Sequence, residues 1–150
     1  MWKQYRNRRN WLDIAVFNFT VDRAGSHQIM EYRESSYVPW GESQEEVLED
    51  EEDHYDNGVE NLKQFAKDPA KLAAFQEVYD RVMPNALKRA FGRLEGADND
   101  FCLEHGLKRN TTEVIVNRYL TEMRSHMDGT GLMFPPISAF ESINCELADS

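Results

Sequence analysis

The sequence holds no run of 18 apolar residues, which excludes a transmembrane helix. Its basic start, Met1-Trp2-Lys3-Gln4-Tyr5-Arg6, leads into no uninterrupted apolar stretch with a small-residue cleavage site, so no secretory leader is expected. Cys102 and Cys145 are too few for a disulfide scaffold, and a reducing cytoplasm is the expected setting. No internal repeat, low-complexity block or linker divides the chain, so its 150 residues are expected to form one domain. Recognisable catalytic motifs are scarce too: there is no Cys-x-x-Cys, His-Glu-x-x-His, Gly-x-Ser-x-Gly elbow or Walker loop.

The most informative absence is of bases in one stretch. Ten acids fall between Glu42 and Glu60 with no Lys or Arg among them: Glu42, Glu45, Glu46, Glu49, Asp50, Glu51, Glu52, Asp53, Asp56 and Glu60. The remaining 17 acids match the 17 bases, so this segment carries the whole net charge of −10. At the other extreme, Lys3, Arg6, Arg8 and Arg9 sit in nine residues without an acid. Such patterning speaks of partners and solubility rather than fold.

What is present reads as an α+β chain, mostly helical, with four to six α-helices after an N-terminal antiparallel β-hairpin. Residues 1–10 form a basic arm. Trp11 to Val21 is rich in aromatic and β-branched residues with apolar side chains on both parities, the pattern of a strand covered on both faces. Asp22-Arg23-Ala24-Gly25-Ser26 supplies a turn, and Met30, Tyr32 and Val38 share a parity in a second strand, giving a hairpin over 11–38 that ends at Pro39-Trp40-Gly41.

A helical region is then expected over 43–127. Ser43 with Glu46 makes a capping box for an acidic helix at 43–66, whose apolar stripe holds Val47, Leu48, Tyr55, Val59, Leu62, Phe65 and Ala66. Glu45, Glu49, Glu52, Asp56 and Glu60 line a different face, Glu51 points into the stripe, and Asn57-Gly58 threatens to split the helix. Asp68-Pro69 caps the next helix, with Leu72, Phe75, Tyr79 and Val82 inward and Pro84 as a kink or restart before Leu87, Phe91 and Leu94. Asn99 to His105 is a short helix closed by Gly106; Asn110 with Glu113 caps another that carries Val116, Leu120, Met123 and Met127 and stops at Gly129. Residues 130–150 are expected to hold an extended Gly131–Ile137 segment and a short helix capped by Ser138 and Glu141.

Asp53 and Gly58 fit the first and sixth positions of a calcium loop, but Tyr55 at the third and Gln64 at the twelfth cannot ligate as required. Glu122 and His126 are four apart, as are Glu45 and Glu49, a spacing common on helices without a metal. Cys102 lies between Phe101 and Leu103 and reads as an inert thiol rather than a partner of His105. Asp128-Gly129-Thr130-Gly131 follows a helix, whereas a phosphate loop precedes one. No catalytic residue, metal or cofactor is therefore expected.

Ten like charges in nineteen residues repel, each i,i+4 pair costing roughly 0.2–0.5 kcal/mol, so an unrelieved acidic face suggests a use. The leading expectation is a non-enzymatic cytoplasmic binding protein. It would dock on a basic protein surface, such as that of a nucleic-acid enzyme or a toxin, as anti-defence inhibitors of mobile elements and immunity proteins do. The contact residues would be Glu42, Glu45, Glu46, Glu49, Asp50, Glu52, Asp53, Asp56 and Glu60, with Trp40, Tyr55 and Trp2 as aromatic anchors if exposed. The alternative is a helix-turn-helix-like DNA-binding regulator over 99–126, with Thr111, Thr112, Glu113 and Asn117 toward bases and Lys108 and Arg109 on phosphates. Residues 81–126 hold eight bases and six acids, a weak excess for that role. A third reading is a small enzyme assembled from Glu122, His126, His105 and Asp100. The bases of the arm are expected to pair with the chain's own acidic helix.

Overall fold

A computed structural model describes residues 11–91 and 97–135. The basic arm, Leu94, Cys145 and the expected helix after Ser138 lie outside the described residues. Helices α1 (Trp11–Phe17), α2 (Arg23–Arg33), α3 (Val38–Phe65), α4 (Pro69–Phe91), α5 (Ala97–Glu104) and α6 (Thr112–Met127) follow in order, with a π-helical turn (Asn18–Asp22) joining α1 to α2.

The expected β-hairpin is wrong: no strand occurs among the described residues, and 11–33 is one continuous helix with the π turn inside it. Leu12, Ala15, Val16 and Phe19 recur at i, i+3, i+4 and i+7, a helical stripe that packs into the core. Their β-branched and aromatic neighbours imitate a two-faced strand. In α2 the buried positions are Ala24, Ser26, His27 and Glu31, so the inward face is largely polar.

This interrupted helix packs against α3 and α4, and its α2 half also against α6. Phe19 lies fully buried with its ring 6.2 Å from both Phe75 and Tyr79 of α4. Around it gather Tyr55, Val59 and Leu62 of α3, Met83 and Phe91 of α4, and Ile115, Tyr119, Met123 and Met127 of α6. The π turn is held on both sides. Thr20 Oγ1 donates to the Val16 carbonyl at 2.7 Å, and the Tyr119 hydroxyl donates to the Thr20 carbonyl at 3.1 Å.

Helix α3 starts at Val38 rather than Ser43, with Pro39 in its first turn, where a missing N–H costs nothing. Ser43 is no cap; its hydroxyl donates back to the Trp40 carbonyl. Nor does Asn57-Gly58 break the helix. A Cβ on Gly58 would meet the Phe19 amide nitrogen, lie 2.7 Å from Phe19 Cα and 2.9 Å from the Asn18 carbonyl carbon, so this glycine lets two backbones touch.

Other caps fall nearer their expected places. Asp68 Oδ1 accepts from the amides of Ala70 (2.9 Å) and Lys71 (3.3 Å), and α4 runs unbroken through Pro84. Gly106, at φ 67°, ends α5 with Leu107 N donating to Cys102 O and Gly106 N to Leu103 O, the Schellman pattern. The α6 cap differs: Thr111 is the N-cap residue and Asn110 turns instead to Glu31. After Gly129 the chain has no regular secondary structure through residue 135 and is pinned where Gln76 exchanges two 2.8 Å hydrogen bonds with the Met133 backbone.

Two glycine substitutions test this packing. Both sites are helical, and alanine gains roughly 1 kcal/mol of propensity at each. Gly25 has nothing within 4 Å of an added Cβ, so Gly25→Ala should raise Tm by a few degrees. At Gly58 the obstacle is backbone, which cannot swing aside, and overpacking of about 1–3 kcal/mol or more outweighs the gain. Gly58→Ala should therefore lower Tm, as read by thermal unfolding of the two variants beside the parent chain.

Candidate functional site

The charge on α3 is arranged by helix geometry. Seven positions, Gly41, Gln44, Leu48, Tyr55, Gly58, Val59 and Leu62, face inward and define one side. Nine of the ten acids, Glu42, Glu45, Glu46, Glu49, Asp50, Glu52, Asp53, Asp56 and Glu60, are exposed on the remainder. At a rise of 1.5 Å per residue they extend along about 27 Å of axis. None forms an ion pair with a lysine or arginine among the described residues. Glu60 accepts a hydrogen bond from Gln64. Glu51 is the exception, half-buried as its place in the stripe implies, and burial pushes its carboxyl above the usual range.

Of the expected aromatic anchors, Trp40 is 47% exposed and its ring is braced edge-on by Tyr32 at 6.0 Å. Tyr37, Val38 and Val47 are exposed beside it on the first half of α3 or just before it. Tyr55 is a correction: at 4% exposed it belongs to the core, with the Arg23 guanidinium 4.4 Å over its ring, and it cannot meet a partner. Its position in the apolar stripe already pointed inward. Trp2 lies outside the described residues.

Behind this face lies a buried polar network that periodicity could not reveal. Glu122 of α6 accepts from Arg23 at 2.6 Å and from His27 at 2.7 Å. Arg118 Nε donates to His27 Nδ1 at 3.2 Å, which places the imidazole proton on Nε2, toward Glu122. Arg118 also reaches Glu31 at 2.7 Å, and Glu31 takes the Asn110 amide and side chain at 3.0–3.2 Å. Burial raises both carboxyls, but the donated hydrogen bonds outweigh it. Glu122 is held at about 2 by His27 and Arg23, and Glu31 below its ordinary value by Arg118 and Asn110. Both nitrogens of His27 are engaged, so the ring has no free position from which to take a substrate proton. The only early signal was four ionisable residues at 23, 27, 118 and 122, spaced i,i+4 on two helices.

Of the residues of the enzyme reading, Glu122 is engaged by Arg23 and His27 and shares α6 with His126. His126 packs edge-on to Tyr55, and His105 stacks on Phe101 and contacts its carbonyl, while Asp100 is exposed. A shallow groove of about 610 Å³, lined by residues between Arg124 and Phe134, contains none of Glu122, His105 or Asp100. Of the two bases that the DNA-binding reading places on phosphates, one is enclosed and the other lies in an exposed ion pair. Lys108 is 2% exposed with no hydrogen-bond partner at Nζ among the described residues, and Arg109 pairs with Glu34 at 2.7 Å. No known protein family matches the chain, and no curated protein sequence matches it.

Two measurements probe this interior. Glu122 has a folded value near 2 against 4.5 ordinarily, so its contribution is complete above about pH 4.5 and fades as pH falls through 2. Glu122→Gln should cost on the order of 1–3 kcal/mol at pH 7, and the deficit should shrink toward pH 2 in denaturant titrations. Lys108→Met, which removes a buried amine without a partner, should raise stability by on the order of 1 kcal/mol in the same titrations at pH 7.

Proposed function

We propose that the protein is a non-enzymatic binding protein that docks through the acidic face of α3 on a basic surface of another macromolecule in the cytoplasm. The observation that carries this reading is the set of nine exposed carboxylates on one uninterrupted 28-residue helix, without basic partners among the described residues. Solubility alone calls for mixed charge, whereas a fixed row of one sign provides complementarity. Successive acids rise about 4.5–6 Å along the axis, close to the separation of neighbouring backbone phosphates, so the natural target is a protein surface that otherwise holds nucleic acid. Inhibition by occupying that surface, as anti-defence and immunity proteins do, is the consequence. Trp40 adds the apolar contact that charge alone does not supply.

Charge reversal tests the reading. A variant with Glu45, Glu49, Glu52 and Asp56 all changed to Lys alters only exposed positions and keeps the inward face intact. Wild-type protein used as bait should retain a basic partner that raised salt releases, and the reversed protein should not. Recovery of the same partner with a correctly folded reversed protein would contradict the proposal.

A further inference from the structure

We propose that Asp22, Glu51 and His54 form a binding site for a divalent transition-metal cation of the zinc class, built across the seam between the π turn and α3. One donor atom from each residue lies within 4.8 Å of the other two, and His54 Nδ1 is 3.9 Å from Asp22 Oδ2. An ion centred among them would be at most about 2.8 Å from each donor, and side-chain shifts of well under 1 Å bring that to the roughly 2.0–2.2 Å of zinc–nitrogen and zinc–carboxylate bonds. The exposed His54 ring is free to make such a shift.

An independent observation points to an ion. Glu51 Oε2 is buried and has no hydrogen-bond partner among the described residues. A carboxylate oxygen removed from water and left unmatched is costly, and a cation held by Glu51 would offset the charge of its carboxylate. The surroundings are also right. Glu51 and His54 are i,i+3 on α3 and so share an edge, while Asp22 is the last residue of the π turn that the Gly58 contact presses onto α3. The adjacent Arg23 directs Nη2 to Glu122 and lays its guanidinium over the Tyr55 ring. Asp50 and Asp53, exposed on the same helix, add to the negative potential that draws a cation in. One imidazole nitrogen with two carboxylates suits zinc, cobalt or nickel, whereas magnesium and calcium prefer oxygen alone. Three protein ligands leave a coordination position for water.

The full chain, freed of metal by chelation, tests this by calorimetric titration with zinc chloride, with cobalt chloride as a spectroscopic probe. The expected result is one zinc per chain, a rise in Tm on binding, and a visible cobalt absorption band of the kind that imidazole ligation produces. His54→Ala and Glu51→Gln should each weaken zinc at least about tenfold and abolish the cobalt band. Glu46→Gln removes an equal charge from the exposed face and should change neither reading. Both ligand variants are checked for parental helix content without metal. The proposal is overturned if folded wild-type protein binds no zinc, or if binding is diffuse, survives both ligand variants, or falls equally with Glu46→Gln.

Discussion

The backbone contact between Gly58 and Phe19 is the constraint on which the other features depend. It requires a residue without a side chain in the middle of α3, and it seats the π turn directly on that helix. Phe19 is thereby delivered between Phe75 and Tyr79, where the core of α3, α4 and α6 closes around it. Asp22 comes to rest beside Glu51 and His54 for the same reason. Because Gly58 serves an interhelical contact rather than a break, α3 stays continuous and its outer face keeps a fixed array of charge.

The partly buried network takes up two arginines that could otherwise offset that charge. Arg23 and Arg118 are committed to Glu122 and Glu31 between α2 and α6, Arg81 reaches Asp13, and Arg109 reaches Glu34. These arginines thus pair with acids outside the 42–60 segment. Carboxylates held below their ordinary values lock the interior, while the exposed ones are left for solvent or a partner. The division also separates places: the ion pairs lie where α2 and α6 meet, and the outer row is the surface we propose for docking.

How far the sequence could be read follows from where the hydrophobic signal lies. The body of the acidic helix was legible from its apolar spacing though its start was not, and the Asp68 cap and the Gly106 stop were legible from terminal chemistry. Residues 11–33 misled, since β-branched and aromatic neighbours blurred the Leu12, Ala15, Val16, Phe19 stripe, and α2 turns Ser26, His27 and Glu31 inward. A core face built of Ser, His and Glu reads as solvent-facing, so the inward side of α2 was not evident from its residue types. Asn110 resembled a cap because its partner, Glu31, is 79 residues away. The acidic face was evident as charge, whereas the Asp22, Glu51, His54 cluster was not, because it needs the π turn to bring distant residues together. Lys108 looked available to phosphate until the fold enclosed it.

The central claim is that the outer row of α3 recognises its partner electrostatically. The most direct measurement is the association rate constant between the wild-type chain and the partner it retains, followed as ionic strength rises from about 20 mM to 500 mM, over which the Debye length falls severalfold. Electrostatic docking predicts a rate that drops by an order of magnitude or more across that range while dissociation changes little. An association rate independent of salt would contradict the account.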